Sequence, residues 1–467
     1  MANVWDVGVA RIDTFGNLHL DGGLSYDSDA SFLVKQSSTD VGRFDNLQTA
    51  YQKAKTATPG GNVLSASNRS CVVVPSGTYE AGANKFSING DYVDIIAVIP
   101  EMGGTDIGTY QPNNVIITGS PSTNGQLAEI TATDVRLNGI SFVSKTADTV
   151  PLRLSQGGDG EDSVFNNLYL WVEGGTLLNV SFPNGDYGMT DQSVRGRWTN
   201  CVCSFDYAWR VNGFGTPTTA IFDADMKNCH AGDRSYGGDC DDVAGWETKF
   251  LMQNCELRNC IGGDFSFAGC GGWGIGVAST CTFIECESGD NSFGIGVDVQ
   301  ATFIQCRGGK FCAGATTDND YPGKFSGYSE RCTFGGGSLG GASSTTTLDG
   351  ECSGRVISCV VGLPLDFLQS GIKETTLKGA MISGSLYTVL NDGYGVFKIG
   401  EDGGITTRII GCSLEMYPGT KDPIDSAVAR DVIFAGCTVN NQTNSATGLG
   451  SNVTNKAVTA GNGIYNI

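Results

Sequence analysis

Three aspartates share one place in a recurring phrase: Asp233 in CHAGDRSYG, Asp264 in CIGGDFSFA and Asp290 in CESGDNSFG. The same place then holds Lys310 in CRGGKFCAG and Gly336 in CTFGGGSLG. If successive copies stack as neighbouring strands about 4.8 Å apart, adjacent members lie roughly 5 Å apart at the backbone and alternate ones roughly 10 Å. Those separations bracket the two glycosidase geometries, roughly 5 to 5.5 Å between carboxyls for retention and 6.5 to 9.5 Å for inversion. Stacked carboxylates repel, which raises the pKa of one of them, as a general acid requires. A bound Ca²⁺ would relieve the same repulsion. Asp after Gly is also an ordinary turn residue that satisfies its own backbone. Turn residue, metal or glycan contact, and catalytic carboxylate therefore all stay open, and no catalytic motif decides among them.

A second acidic cluster, GGDCDDVAGWE at 237–247, brings Asp239, Asp241, Asp242 and Glu247 beside Trp246. It interrupts the first repeat, and insertions in solenoids project as loops on one face, often the binding face. A Trp beside carboxylates suits sugar stacking with hydrogen bonds to hydroxyls; the alternative for Trp246, and for Trp273 in GCGGWGIG, is a packing residue. A further loop, TTDNDYPGKFSGY at 316–328, could line the same face with Asp318, Asp320 and Tyr321.

What must position these groups follows from the spacing. The cysteines that lead the five phrases, Cys229, Cys260, Cys286, Cys306 and Cys332, are 31, 26, 20 and 26 residues apart, within the range of repeat architectures. The same small-residue place continues at Cys359, Ser385, Cys412 and Cys437, and earlier at Cys201. Each unit holds a short β-branched or aromatic run, such as CTFIEC or ATFIQC, followed by a Gly-rich turn. No helical 3.6-residue stripe of useful length runs through residues 110–440. The expected fold is all-β: a single-stranded parallel β-helix of roughly a dozen turns, each about 26 residues. With 68 glycines, 12 prolines and 40% hydrophobic residues, the chain can bury a core while turning often. Length alone would allow three domains, but the continuous repeat argues for one elongated domain over 41–437.

The ends read differently. Residues 44–57 (FDNLQTAYQKAKTA) place Leu47, Ala50, Tyr51 and Ala54 on one helical face, with Asp45 available as a cap. Such a helix would seal the first turn, whose strand edges would otherwise stay unpaired. Residues 1–40 read as a small strand-rich adaptor or an extended arm, too short for a core of their own. Residues 438–467, rich in Asn, Thr and Gly, read as a C-terminal cap or tail.

The order amphipathic helix, then VVVPSGTYEAG, then Gly-rich coils resembles the pectate-lyase-like right-handed β-helix superfamily, and within it the bacteriophage tailspikes and related virion appendages. The resemblance covers about residues 40–440. It implies a protein that binds or cleaves host-surface polysaccharide and forms a homotrimer. It also implies contact with other virion proteins, here through the N-terminal segment.

Seventeen cysteines, an odd number, sit mostly beside apolar residues, and the N-terminus has no charged n-region followed by an apolar h-region. The cysteine file reads as small apolar residues stacked in a reduced interior, and with two histidines no structural metal site is expected. These features fit a virion protein assembled in host cytoplasm; an extracellular protein is the alternative. The net charge of −20 and the lack of a Lys/Arg cluster argue against nucleic acid as a ligand and somewhat favour a neutral glycan. No apolar stretch is long enough to span a membrane, and no cofactor is required, Ca²⁺ being the one cation the acidic file could accept. Three functions remain: a virion appendage that binds host polysaccharide, an active depolymerase (glycosidase or lyase, with Lys310 as the one basic residue of the file), and a purely structural virion rod.

Overall fold

The computed structural model describes the strands at 5–6, 10–12, 18–20, 32–36 and 39–44, and then residues 46–56, 62–82, 85–98, 112–122, 125–146, 149–154, 163–172, 193–203, 209, 219–237, 249–268, 274–316, 322–343, 348–362, 372–373, 375–390, 397–399, 407–417, 424–426, 432–435, 437–441 and 464–466. The chain divides into two compact units: Met1–Asp186 with Gln192–Trp209 and Ala224–Ala231, and the remainder, chiefly Gly232–Ile467.

The first unit begins with three short antiparallel strands, Trp5–Asp6, Ala10–Ile12 and Leu18–Leu20. A hairpin of Phe32–Gln36 and Thr39–Phe44 lies antiparallel to Ser70–Val74. The expected helix runs Leu47–Thr56 and buries Leu47, Ala50, Tyr51 and Ala54. Its cap is Asn46, one residue later than Asp45, whose Oδ1 accepts the Thr49 amide at 3.0 Å. The Tyr51 hydroxyl accepts the Gly90 amide at 2.9 Å, and burial pushes its pKa up to about 12.

Beyond the helix the strands form three parallel ladders. One joins Ser70–Val74, Val93–Ala97, Arg136–Asn138, Val164–Asn166 and Ser193–Thr199. A second joins Gly77–Gly82, Val115–Gly119, Ile140–Ser144, Tyr169–Val172 and Val202–Cys203. A third joins Phe86–Ile88, Gln126–Ile130 and Val150–Leu154. Parallel pairing between segments some two to four dozen residues apart in sequence, repeated on three faces, is the signature of a coil that returns over itself each turn.

The second unit repeats the scheme. Its first ladder joins eight strands: Glu256–Arg258, Thr282–Ile284, Thr302–Ile304, Tyr328–Glu330, Arg355–Ile357, Met381–Ser383, Thr407–Ile410 and Val432–Ala435. The expectation of a parallel β-solenoid therefore holds, with about eight coils in this unit. Along the described strands an inner residue is buried in turn, as in Leu257, Phe283, Phe303, Val356, Ile382 and Ile409, all fully buried. Phe283 stacks on Phe303 with centroids 4.9 Å apart and planes 6° apart. At the far end Thr438–Asn441 continues a ladder and Ile464–Asn466 lies antiparallel on it.

The cysteine file sits just after each first-ladder strand. Every cysteine whose side chain is described is buried and unbridged. The thiols donate back to the preceding coil: Cys286 to the Leu257 carbonyl and Cys306 to the Phe283 carbonyl, each at 3.3 Å. Burial raises the pKa of Cys352 to about 12, keeping it protonated at neutral pH. Among the described residues no helix is long and apolar enough to cross a membrane.

Candidate functional site

The turn that carries the aspartates is built in layers from the inside outward. Innermost is an aromatic stack: Tyr236 lies 4.5 Å from Phe267, and Phe267 lies 4.9 Å from Phe293, with planes 2° and 11° apart. Next comes a buried file of Ser235, Ser266, Ser292, Cys312 and Ser338. Its side chains accept the amides of the preceding coil, Ser266 Oγ from Ser235 at 3.2 Å, Ser292 Oγ from Ser266 at 3.1 Å and Ser338 Oγ from Cys312 at 2.9 Å. The recurring Ser/Cys of the sequence phrase is thus an internal rail that fixes the register of the turn, and the recurring aromatic after it is core.

The aspartates stand on the outer side of that rail. Asp233 Oδ1 accepts the Asp264 amide at 2.9 Å, Asp264 Oδ1 accepts the Asp290 amide at 2.7 Å, and Asp290 Oδ1 accepts the Lys310 amide at 2.7 Å. Each carboxylate therefore reaches one coil forward and holds the backbone of its own successor. The preceding glycine is part of the device. A Cβ at Gly263, Gly289 or Gly309 would collide with the carboxylate of the coil before, and would stand 2.9, 2.8 and 2.7 Å from that aspartate's own amide nitrogen. The Gly-Asp pairing in the sequence has this close approach as its cause.

Asp264, in the middle, is held above the usual carboxylate range, first by partial burial and further by the Asp233 and Asp290 charges; the Asp290 amide pulls the other way. The residue after each file member adopts left-handed geometry: Arg234, Phe265, Asn291 and Phe311 have φ of 55°, 55°, 56° and 53°. Bulky residues rarely take this conformation, at about 1 kcal/mol or more each. Here it lets their amides reach the next coil, Phe265 to the Asp290 carbonyl at 2.8 Å and Asn291 to the Lys310 carbonyl at 2.7 Å. Their side chains are half-buried. The Arg234 guanidinium lies 5.5 Å from the centre of the Phe265 ring.

The structure thus brings Asp233, Asp264, Asp290 and Lys310 into the one file that their spacing implied. Asp239, Asp241, Asp242, Trp246, Glu247, Trp273, Asp318, Asp320 and Tyr321 lie outside the described residues. Sequence reasoning missed the flanking file of Arg234, Phe265, Asn291 and Phe311, although its constant offset of one residue from the aspartates was a readable signal. Among the described residues no group of three or more His, Cys, Asp or Glu side chains converges in a way that could hold a metal ion.

No protein-family model matches the chain, and no curated protein sequence matches it. Among solved structures, it is similar to ORF18 of Geobacillus virus E2 at 10% identity and a TM-score of 0.20, over 94% of this chain and 69% of that one.

Proposed function

We propose that this chain is the solenoid body of a virion appendage that binds a host-surface polysaccharide along the aspartate file, as a binding protein and not as a depolymerase. The observation that carries this reading is that one oxygen of each aspartate is already committed to a backbone amide one coil on. A carboxylate used as a backbone acceptor is held in one orientation. That suits repeated hydrogen bonding to hydroxyls and suits poorly an acid or nucleophile that must change protonation or form a bond. The carboxylates of the file supply acceptors, and Phe265 and Phe311, which follow Asp264 and Lys310 and are half-buried, supply apolar surface, the two things a sugar ring needs. The virion setting rests on the sequence resemblance of residues 40–440, and the expected homotrimer, with the N-terminal segment contacting other virion proteins, belongs to the same proposal.

One observation favours a depolymerase: partial burial and the two flanking carboxylates push the Asp264 pKa upward, the direction a general acid needs. Purified protein incubated with a panel of capsular and outer-membrane polysaccharides, with and without EDTA, separates the readings. The proposal expects binding that Asp264→Asn or Asp290→Asn weakens, with no new reducing ends or 4,5-unsaturated products. Cleavage that Asp264→Asn abolishes would establish the depolymerase instead, and loss of binding in EDTA would bring in Ca²⁺. Light scattering checks the trimer.

A further inference from the structure

The first unit holds a cavity of about 450 Å³ between the N-terminal end of the helix Leu47–Thr56 and the strand Gly77–Gly82. Its volume falls in the range of small-ligand sites. It belongs to the first unit and shares no lining residue with the aspartate file of the second.

The floor of the cavity is apolar, formed by Leu47, Phe86 and Ile117, all buried. Tyr79 lines the cavity and is held at its hydroxyl end. Its hydroxyl donates to the Pro75 carbonyl at 2.7 Å. It also packs over Gly77, where a Cβ would stand 3.2 Å from that hydroxyl and where φ is +153°, so the neighbour is glycine for two reasons. The rim is polar and includes Gln48, Glu80 and Lys85. Both rim charges have partners beyond the cavity: Glu80 pairs with Lys145, and Lys85 pairs with Glu129.

These features select a ligand class. Balanced rim charges offer no net attraction to an anion or a cation. They leave a carboxylate acceptor, an ammonium donor and an amide that does both, which matches hydroxyl groups that both donate and accept. An apolar floor with a fixed aromatic wall matches the C–H face of a pyranose ring. Preorganisation of Tyr79 reduces the entropy lost on binding. We propose that this cavity binds a neutral pyranoside of one or two sugar units, independently of the aspartate file.

The test is saturation-transfer NMR on the full chain with methyl glucoside, methyl galactoside, methyl mannoside and N-acetylglucosamine at millimolar concentration. Gln48→Ala, Ala81→Phe and Asp264→Asn are compared with the native chain, and each variant's melting temperature is recorded. Ala81 lines the cavity, so phenylalanine there fills it. The expected result is a signal from at least one pyranoside that is about threefold to tenfold weaker in binding for Gln48→Ala, as loss of one neutral hydrogen bond implies. The signal should vanish in a folded Ala81→Phe and persist in Asp264→Asn. Absence of signal from every sugar, or binding that survives Ala81→Phe, overturns the proposal. Binding lost in Asp264→Asn also overturns it, because the ligand then sits on the aspartate file; should Ala81→Phe fail to fold, Gln48→Ala decides alone.

Discussion

In the first unit a file of asparagines runs from coil to coil: Asn167 Nδ2 donates to Asn138 Oδ1 at 3.1 Å, Asn200 to Asn167 at 3.1 Å and Asn228 to Asn200 at 2.9 Å. In the second unit a file of aspartates does comparable work, but each carboxylate takes its hydrogen bond from the backbone of the next coil. The difference follows from the groups themselves. An amide donates and accepts, so stacked asparagines satisfy one another and the file stays neutral; a carboxylate only accepts, so stacked aspartates need an outside donor and keep like charges close together. In the neutral file only Asn138 Nδ2, at its start, lacks a partner among the described residues. The charged file contains a repulsion that register alone does not require, and that makes it the better candidate for a surface that meets a ligand.

The contrast can be broken most forcefully at Gly289. Gly289→Ala sets a methyl against Asp264 and its amide, and we expect a loss of about 2–4 kcal/mol, the size of other backbone clashes. Chemical denaturation measures it, and combining it with Asp264→Ala should cost less than the sum of the two. Asn200→Asp comes next. It keeps the acceptor that Asn228 uses but removes the donor to Asn167 and opposes two oxygens, for an expected loss of about 1–3 kcal/mol by the same measurement.

A smaller effect lies at the corner before the cysteines. Asn167, Asn200 and Asn228 have φ of 51°, 52° and 51°, a conformation asparagine tolerates. In the second unit the same corner holds Asn259 at φ 50°, then Glu285 and Gln305, both at φ 54°, Arg331 and Ser358 at 54° and 52°, and later Gly384 and Gly411. Glu285→Asn should therefore raise stability by up to about 1 kcal/mol, seen as a higher melting temperature.

The smallest effect is one of pH. The folded-state pKa of Asp264 is raised, so the folded chain binds this proton more tightly than the unfolded chain. Ionised Asp264 then opposes folding. Its stabilising contribution is fully present below the unfolded pKa of about 3.9 and is lost as pH rises through the raised folded value. Melting curves should show Asp264→Asn most favoured over the native chain near neutral pH, with the gap closing as pH falls through the raised value. A gap that widens on acidification would contradict this.

The solenoid was legible because its signal is periodic. One small residue per coil, from Cys201 to Cys437, marks the inside of a turn whatever the loops between do, and Leu47, Ala50, Tyr51 and Ala54 mark a helix face just as directly. The alignment of Asp233, Asp264 and Asp290 was legible for the same reason. What they do with their oxygens was not, since the bond runs from a side chain to a backbone 20 to 31 residues away. Nor did the sequence separate the aspartate from the glycine before it, whose role appears only when the neighbouring coil is in place. The cavity beside Tyr79 was invisible, because its walls come from four stretches of chain with no common period.

The central claim is that the Asp264 carboxylate serves the fold as a backbone acceptor while its charge does not. Melting of Asp264→Asn and Asp264→Ala beside the native chain at neutral pH tests this most directly. Asparagine keeps the oxygen that holds the Asp290 amide and should melt no lower than the native chain, while alanine should lose about 1 kcal/mol. If asparagine loses as much as alanine, the charge and not the acceptor holds the turn, and the account fails.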